Sequence, residues 1–322
     1  MKYDGFDWLR GIAAFGIVGC HLALAPMSDA CWRIRDLCDM NVGLFAALSG
    51  FLMFKNGGIA NLREYIKKRC SRLLPVYFIW TLVFIAFGLV FDATVRHGLN
   101  TKWQDLWFYP KVVFGGQASA HLWFLICLFY VQIVVAMFFK VLQLLGGWIL
   151  LVLGFVVVFL ASHYMDVWFF GYHIRMLGFV LTGYALRCVV AQSNIASKQC
   201  FLLWLCVSLV TAVAHYLVRP CQIPAFIKDW CLIIPLMLAF VSMPKLASVR
   251  FSRIGLLLGE TSMGVYLVHP IITAGFGLFV GRVFHAPYNV YVFIFDLCCS
   301  YFTALLISVV LNRIRPVAKF VH

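Results

Sequence analysis

Charged side chains are scarce in this sequence: Asp, Glu, Lys and Arg together make up 12% of its 322 residues. A soluble chain of this length cannot cover its surface at that density, which excludes an ordinary water-soluble domain. Acidic residues are the rarer sign, 12 against 26 Lys and Arg, for a formal net charge of +14. In a soluble protein that excess would suggest nucleic acid. In an apolar chain it is better explained by basic residues that fix topology, and no nucleic-acid partner is expected. Paired cysteine signatures are also missing. The 12 cysteines are scattered, mostly through apolar runs, with no Cys-x-x-Cys pair and no Cys/His ligand spacing. A disulfide framework and a zinc site are therefore not expected, and no metal is assigned. These cysteines read as small hydrophobes. Nor is there an internal repeat, a low-complexity linker, or a short apolar run followed by a small-residue cleavage site. The first apolar segment, 6–26, therefore reads as a retained helix, and residues 1–322 as one integral-membrane domain with no appended soluble domain.

What the chain has in quantity is apolar length: 64% of its residues are hydrophobic, and the mean hydropathy is +0.95. Repeated runs long enough to span a bilayer predict an all-α polytopic membrane protein of about ten transmembrane helices. They fall near 6–26, 38–54, 73–91, 122–140, 147–164, 168–190, 200–218, 229–243, 255–280 and 290–311. Of the 26 basic residues, 16 lie in the segments on the side of the N-terminus and 8 in the opposite loops, with Arg10 and Arg175 inside helices. That bias, with an even number of helices, predicts both termini in the cytoplasm. The long loop at 92–121 then faces outward. Its Trp103, Trp107, Tyr109, Pro110, Gly115 and Gly116 read either as an interfacial aromatic belt or as a lid that stacks on a sugar.

Ionisable residues within such helices are expensive, so they mark function by default. Arg10 and His21 share the first helix, eleven positions and about 16 Å apart along its axis. His121 opens the helix at 122–140, and His269 lies well inside the helix at 255–280, beside Pro270. Arg175 and Asp296 fall at similar depth from the outer face, where they either neutralise each other or frame a substrate site. Lys67, Lys68, Arg69 and Arg72 form a basic turn suited to topology, lipid headgroups or phosphates. Ser49-Gly50 suits close helix packing, and Glu260 is expected to cap the first turn of its helix.

Five motifs in order carry a family resemblance. They are Arg10-x10-His21; Phe45-Ala46-Ala47-Leu48-Ser49-Gly50-Phe51-Leu52; the basic stretch from Tyr65 through Arg69 and Arg72 to Pro75 and Tyr77; His121-Leu122-Trp123-Phe124-Leu125; and Leu258-Gly259 through Ser262 and Tyr266-Leu267 to His269. Together they resemble the membrane-bound acyltransferase 3 family over nearly the whole chain. One departure is Asn41-Val42-Gly43-Leu44, where many members carry an aspartate. That favours the branch acting on nucleotide-lipid or lipid-linked sugars.

The resemblance implies an O-acyltransferase of the bacterial cytoplasmic membrane. It would use acetyl-CoA as cytoplasmic acyl donor, or succinyl-CoA, and acylate a hydroxyl of a cell-surface glycan or lipid-linked sugar. Arg10, Ser49, Arg69 and Arg72 would bind the donor. His21 would act as proton acceptor or acyl carrier, with His121 and His269 as further catalytic candidates. Trp123, Arg175 and Asp296 would contact the acceptor. Membrane lipids are the expected surroundings, and a second copy of the chain is a further candidate partner. A transporter or lipid scrambler also tolerates midplane charges but usually shows paired repeats, which are missing here. A sensor without turnover would not need to retain Arg10, His21, Arg69 and Arg72.

Overall fold

The computed structural model describes residues 4–22, 27–53, 59, 61–95, 108–116, 118–119, 121–164, 169–217, 224–244, 249–284, 289–318 and 320. Every expected membrane segment is a helix, and no described residue lies in a strand. The order is α1 (Asp4–Cys20), α2 (Asp29–Met53), α3 (Leu62–Thr94), α4 (Phe108–Gly115), α5 (Leu122–Met137), α6 (Phe139–Leu144), α7 (Gly147–Tyr164), α8 (Phe169–Gln192), α9 (Phe201–Leu217), α10 (Ala225–Ser242), α11 (Val249–Phe284) and α12 (Val290–Arg313), before a final turn at Arg315–Ala318. Among the described residues, six helices are long and apolar enough to cross a bilayer. Large hydrophobic side chains stand outside the bundle, such as Leu144 at 85% exposure and Leu209 at 66%. Water would penalise such faces and lipid does not, so the protein is a multi-pass α-helical membrane protein.

Several helices begin earlier than hydropathy alone indicates. α2 starts at Asp29 rather than near 38, which places Arg33, Arg35 and Asp36 on a helix. α3 starts at Leu62 because Asn61 caps it, its side chain accepting from the N–H groups of Arg63 and Glu64. The basic turn is therefore helical. α11 starts at Val249, so Glu260 lies well inside it and does not cap its first turn. α1 is shorter than expected: it ends at Cys20, and His21 sits in the turn beyond. Part of the loop at 92–121 is the short helix α4, anchored by Tyr77, whose hydroxyl donates to the carbonyls of Val112 and Val113. Trp103 and Trp107 lie outside the described residues.

The core runs along α2, α5, α8 and α10 through Leu44, Phe51, Leu125, Phe179 and Met237. α2 and α8 approach until backbones touch. A Cβ on Gly50 would overlap the Val180 carbonyl, and one on Gly183 would overlap the Ala47 carbonyl. Small residues permit this contact where no hydrophobic force drives helices together. Gly183→Ala should therefore cost about 1–3 kcal/mol, read as a lowered unfolding temperature in detergent. An unchanged temperature would show that the two helices separate at no cost.

Candidate active site

The first half of the site is a cavity of about 400 Å³ near the start of α1. Arg10 enters from α1, Ser49 from α2, Arg69 and Arg72 from α3, and Glu260 and Tyr266 from α11. The four residues expected to bind a donor thus share one chamber. Arg10 donates to Asp7 at 3.2 Å. Arg69 stacks over the Tyr65 ring, its carbon 5.0 Å from the ring centre, and donates from Nε to the Tyr65 hydroxyl at 3.1 Å. That stacking fixes the guanidinium plane. Arg72 lies within electrostatic reach of both Arg69 and Arg10. Three guanidiniums converge here, an arrangement suited to a polyanion. Ser49 faces the cavity while its neighbour Gly50 packs on α8.

The second half is a cluster of three imidazoles contributed by two helix ends and a proline site within a third helix. His21 follows the last turn of α1, His121 precedes α5, and His269 stands before Pro270 within α11. Ring centres are 5.0 Å apart for His21 and His269, 5.3 Å for His121 and His269, and 6.3 Å for His21 and His121. His121 and His269 are buried and His21 is half-buried. Ser119 Oγ lies 2.9 Å from His121 Nδ1, and the Phe84 ring packs edge-on against the imidazole. Among the described residues no group of three or more His, Cys, Asp or Glu is arranged to hold a metal.

Tyr266 joins the two halves. Its side chain lines the arginine cavity. Its hydroxyl donates to the His121 carbonyl, and its ring centre is 5.2 Å from that of His121. Tyr266 stands in the last of the five motifs, and only the fold gives it a role.

Beyond the histidines lies a polar network that the sequence did not disclose. Arg35 Nε donates to the Cys20 carbonyl at 2.9 Å, placing a cation at the C-terminal end of α1 next to His21. Asp39 lies within electrostatic reach of Arg35, Asp36 and Arg175. Arg175 pairs with Asp229 at 2.7 Å. Asp36 Oδ2 meets His215 Nε2 at 3.1 Å and Lys228 Nζ at 3.6 Å. The expected mutual neutralisation of Arg175 and Asp296 is thereby corrected. Arg175 on α8 finds its carboxylate on α10, whereas Asp296 is buried on α12, where it accepts from Ser300 Oγ at 3.0 Å. α12 packs mainly against α11 and α1, and α8 against α7, α2 and α5, so equal depth did not mean adjacency. Trp123 packs against Tyr172, with ring centres 5.0 Å apart. Its backbone lies so close to Gly116 (φ 69°) that a Cβ there would overlap it.

Fold and site define a multi-pass helical membrane protein in which an arginine-lined cavity adjoins a buried histidine cluster. Residues 3–313 match the family model described as an acyltransferase domain, and the chain belongs to the acyltransferase 3 family. It is a membrane acyltransferase. Comparison with curated proteins returned no significant match, and comparison with solved structures returned none either.

Proposed function

We propose that this protein is an O-acetyltransferase of the bacterial cytoplasmic membrane, with both termini in the cytoplasm. It would move an acetyl group from acetyl-CoA to a hydroxyl of a cell-surface glycan or lipid-linked sugar. The observation that carries this reading is the continuity of the two half-sites: Arg10, Arg69 and Arg72 line a cavity whose wall, Tyr266, contacts His121. The phosphates of the donor suit the guanidinium forks. Arg10 and His21 are eleven residues apart, about 16 Å along a helix, a span that an extended pantetheine arm can cover. The thioester would then lie at the histidines while the phosphates stay with the arginines.

An acceptor arriving from the opposite face would pass the network of Asp36, Asp39, Arg175 and Asp229. At His21 its hydroxyl would lose a proton to a neutral imidazole as its oxygen attacks the thioester carbonyl. The tetrahedral intermediate would collapse by breaking the C–S bond, and the departing thiolate would take the proton from His21. Transfer through an acyl-imidazole on His21 uses the same positions in two steps. Asp296 lies on the α12 side and is a weaker acceptor contact than Arg175; Trp123 and Tyr172 offer aromatic faces to a sugar.

The direct test supplies purified protein with acetyl-CoA, and separately with succinyl-CoA, and follows release of free coenzyme A. Slow hydrolysis without acceptor is expected with acetyl-CoA; none with either donor would remove the reading. Sidedness is checked with single cysteines in a background whose native cysteines are replaced. A cysteine at Lys68 should label only from the cytoplasm and one at Lys111 only from outside, as the 16-to-8 division of basic residues requires. Outside labelling at position 68 would put the arginine cavity on the wrong side for a cytoplasmic donor.

A further inference from the structure

Pro270 has no N–H, so the carbonyl four residues earlier in α11, that of Tyr266, loses its helical donor. A buried carbonyl does not stay unpaired. The side chain of His269 takes the place of that donor: Nδ1 lies 2.7 Å from the Tyr266 oxygen and 3.3 Å from that of Val265. Both partners are carbonyls and can only accept, so Nδ1 carries the hydrogen. In the neutral ring Nε2 is then a bare lone pair. That atom is buried and has no hydrogen-bond partner, although the ring of His21 is centred only 5.0 Å away.

We propose that Pro270 and Tyr266 hold His269 in the Nδ1–H tautomer, so that its Nε2 lone pair receives an N–H of His21 while His21 takes up the proton of the acceptor hydroxyl. This rests on the role given above to His21. The proton moves from hydroxyl oxygen to one nitrogen of His21. The hydrogen on the other nitrogen is shared with His269, and the first proton leaves with the thiolate. His269 acts through His21, as the buried carboxylate of a catalytic triad acts through its histidine. Pro270 in turn acts through His269, and both are positioning residues. The same Tyr266 that lines the donor cavity therefore fixes His269 with its carbonyl and the start of α5 with its hydroxyl.

Full-length protein labelled with ¹⁵N-histidine gives the tautomer directly, without turnover. The resonances lost in His269→Asn identify His269. Wild type should show a protonated Nδ1 and a bare Nε2, and Pro270→Ala should shift the ring towards the other tautomer by restoring a backbone donor to Tyr266. A protonated Nε2 with a bare Nδ1 in wild type overturns the proposal. Kinetics supply the second readout. In His269→Asn the amide can still donate to the Tyr266 carbonyl but leaves no lone pair at the Nε2 position. Its kcat should fall about tenfold or more with the KM for acetyl-CoA unchanged within about twofold. Wild-type kcat in that variant would show that His269 only satisfies a carbonyl. Failure of the His21 role is seen separately, as full activity of His21→Gln with the His269 tautomer as described.

Discussion

Replacing His21 with Gln should remove acyl transfer while donor binding survives. Glutamine keeps a polar side chain at the end of α1 but cannot accept a proton or carry an acyl group. Loss of one general base typically lowers rate by about 10²–10⁴, about 3–5 kcal/mol of barrier. The phosphates would be held at Arg10, Arg69 and Arg72, on the far side of Tyr266, so coenzyme A should still raise the unfolding temperature to the wild-type extent. The measurement is transfer rate paired with ligand-induced thermal shift on the same preparation. A correctly folded, donor-binding His21→Gln protein with more than about a tenth of the wild-type rate would make His21 structural, and the chemistry would have to pass to His121 or His269.

The double variant Arg69→Ala, Arg72→Ala should behave in the opposite sense, losing donor affinity first. A hydrogen bond to a charged group contributes about 1.5–3 kcal/mol. Arg69 is half-buried and Arg72 exposed, so solvent screening pulls the effect to the lower end. A loss of about tenfold to 100-fold in coenzyme A affinity is expected, read by calorimetry or by the thermal shift. Lys67→Ala and Lys68→Ala should change little, because both side chains are exposed outside the cavity lining. An undiminished affinity in the double arginine variant would reduce the basic turn to a topological signal.

The parts of this site legible in the sequence were those that one helix or one motif contains. Arg10 and His21 belong to one apolar segment, where hydropathy alone marks ionisable residues; Arg69 and Arg72 share a single turn of α3, and the motif resemblance selected them as donor contacts. Their convergence with Ser49 and Tyr266 in one cavity is tertiary and has no signature in spacing. The histidines illustrate the difference. His21, His121 and His269 could each be named, but ring centres 5.0–6.3 Å apart follow from two helix ends meeting the middle of α11 beside Pro270. Depth along a helix was readable and neighbourhood around the bundle was not, which is why pairing with Asp296 stood as one of two readings for Arg175, whose carboxylate is that of Asp229. Asp36 escaped notice for another reason. Its charge and those of Arg33 and Arg35 lower local hydropathy, so the first turns of α2 read as loop; in the folded protein that stretch is helical and Asp36 meets partners on α9 and α10. Lys228, near the start of α10, was hidden in the same way.

The most direct test of the central claim is mass spectrometry of surface glycans and lipid-linked sugars from three otherwise identical cell lines. One lacks the protein, one carries the wild type, and one carries His21→Gln at equal membrane abundance. The account predicts acetyl groups on a sugar hydroxyl in the wild-type line, absent from both others. Identical acylation in all three lines would contradict it.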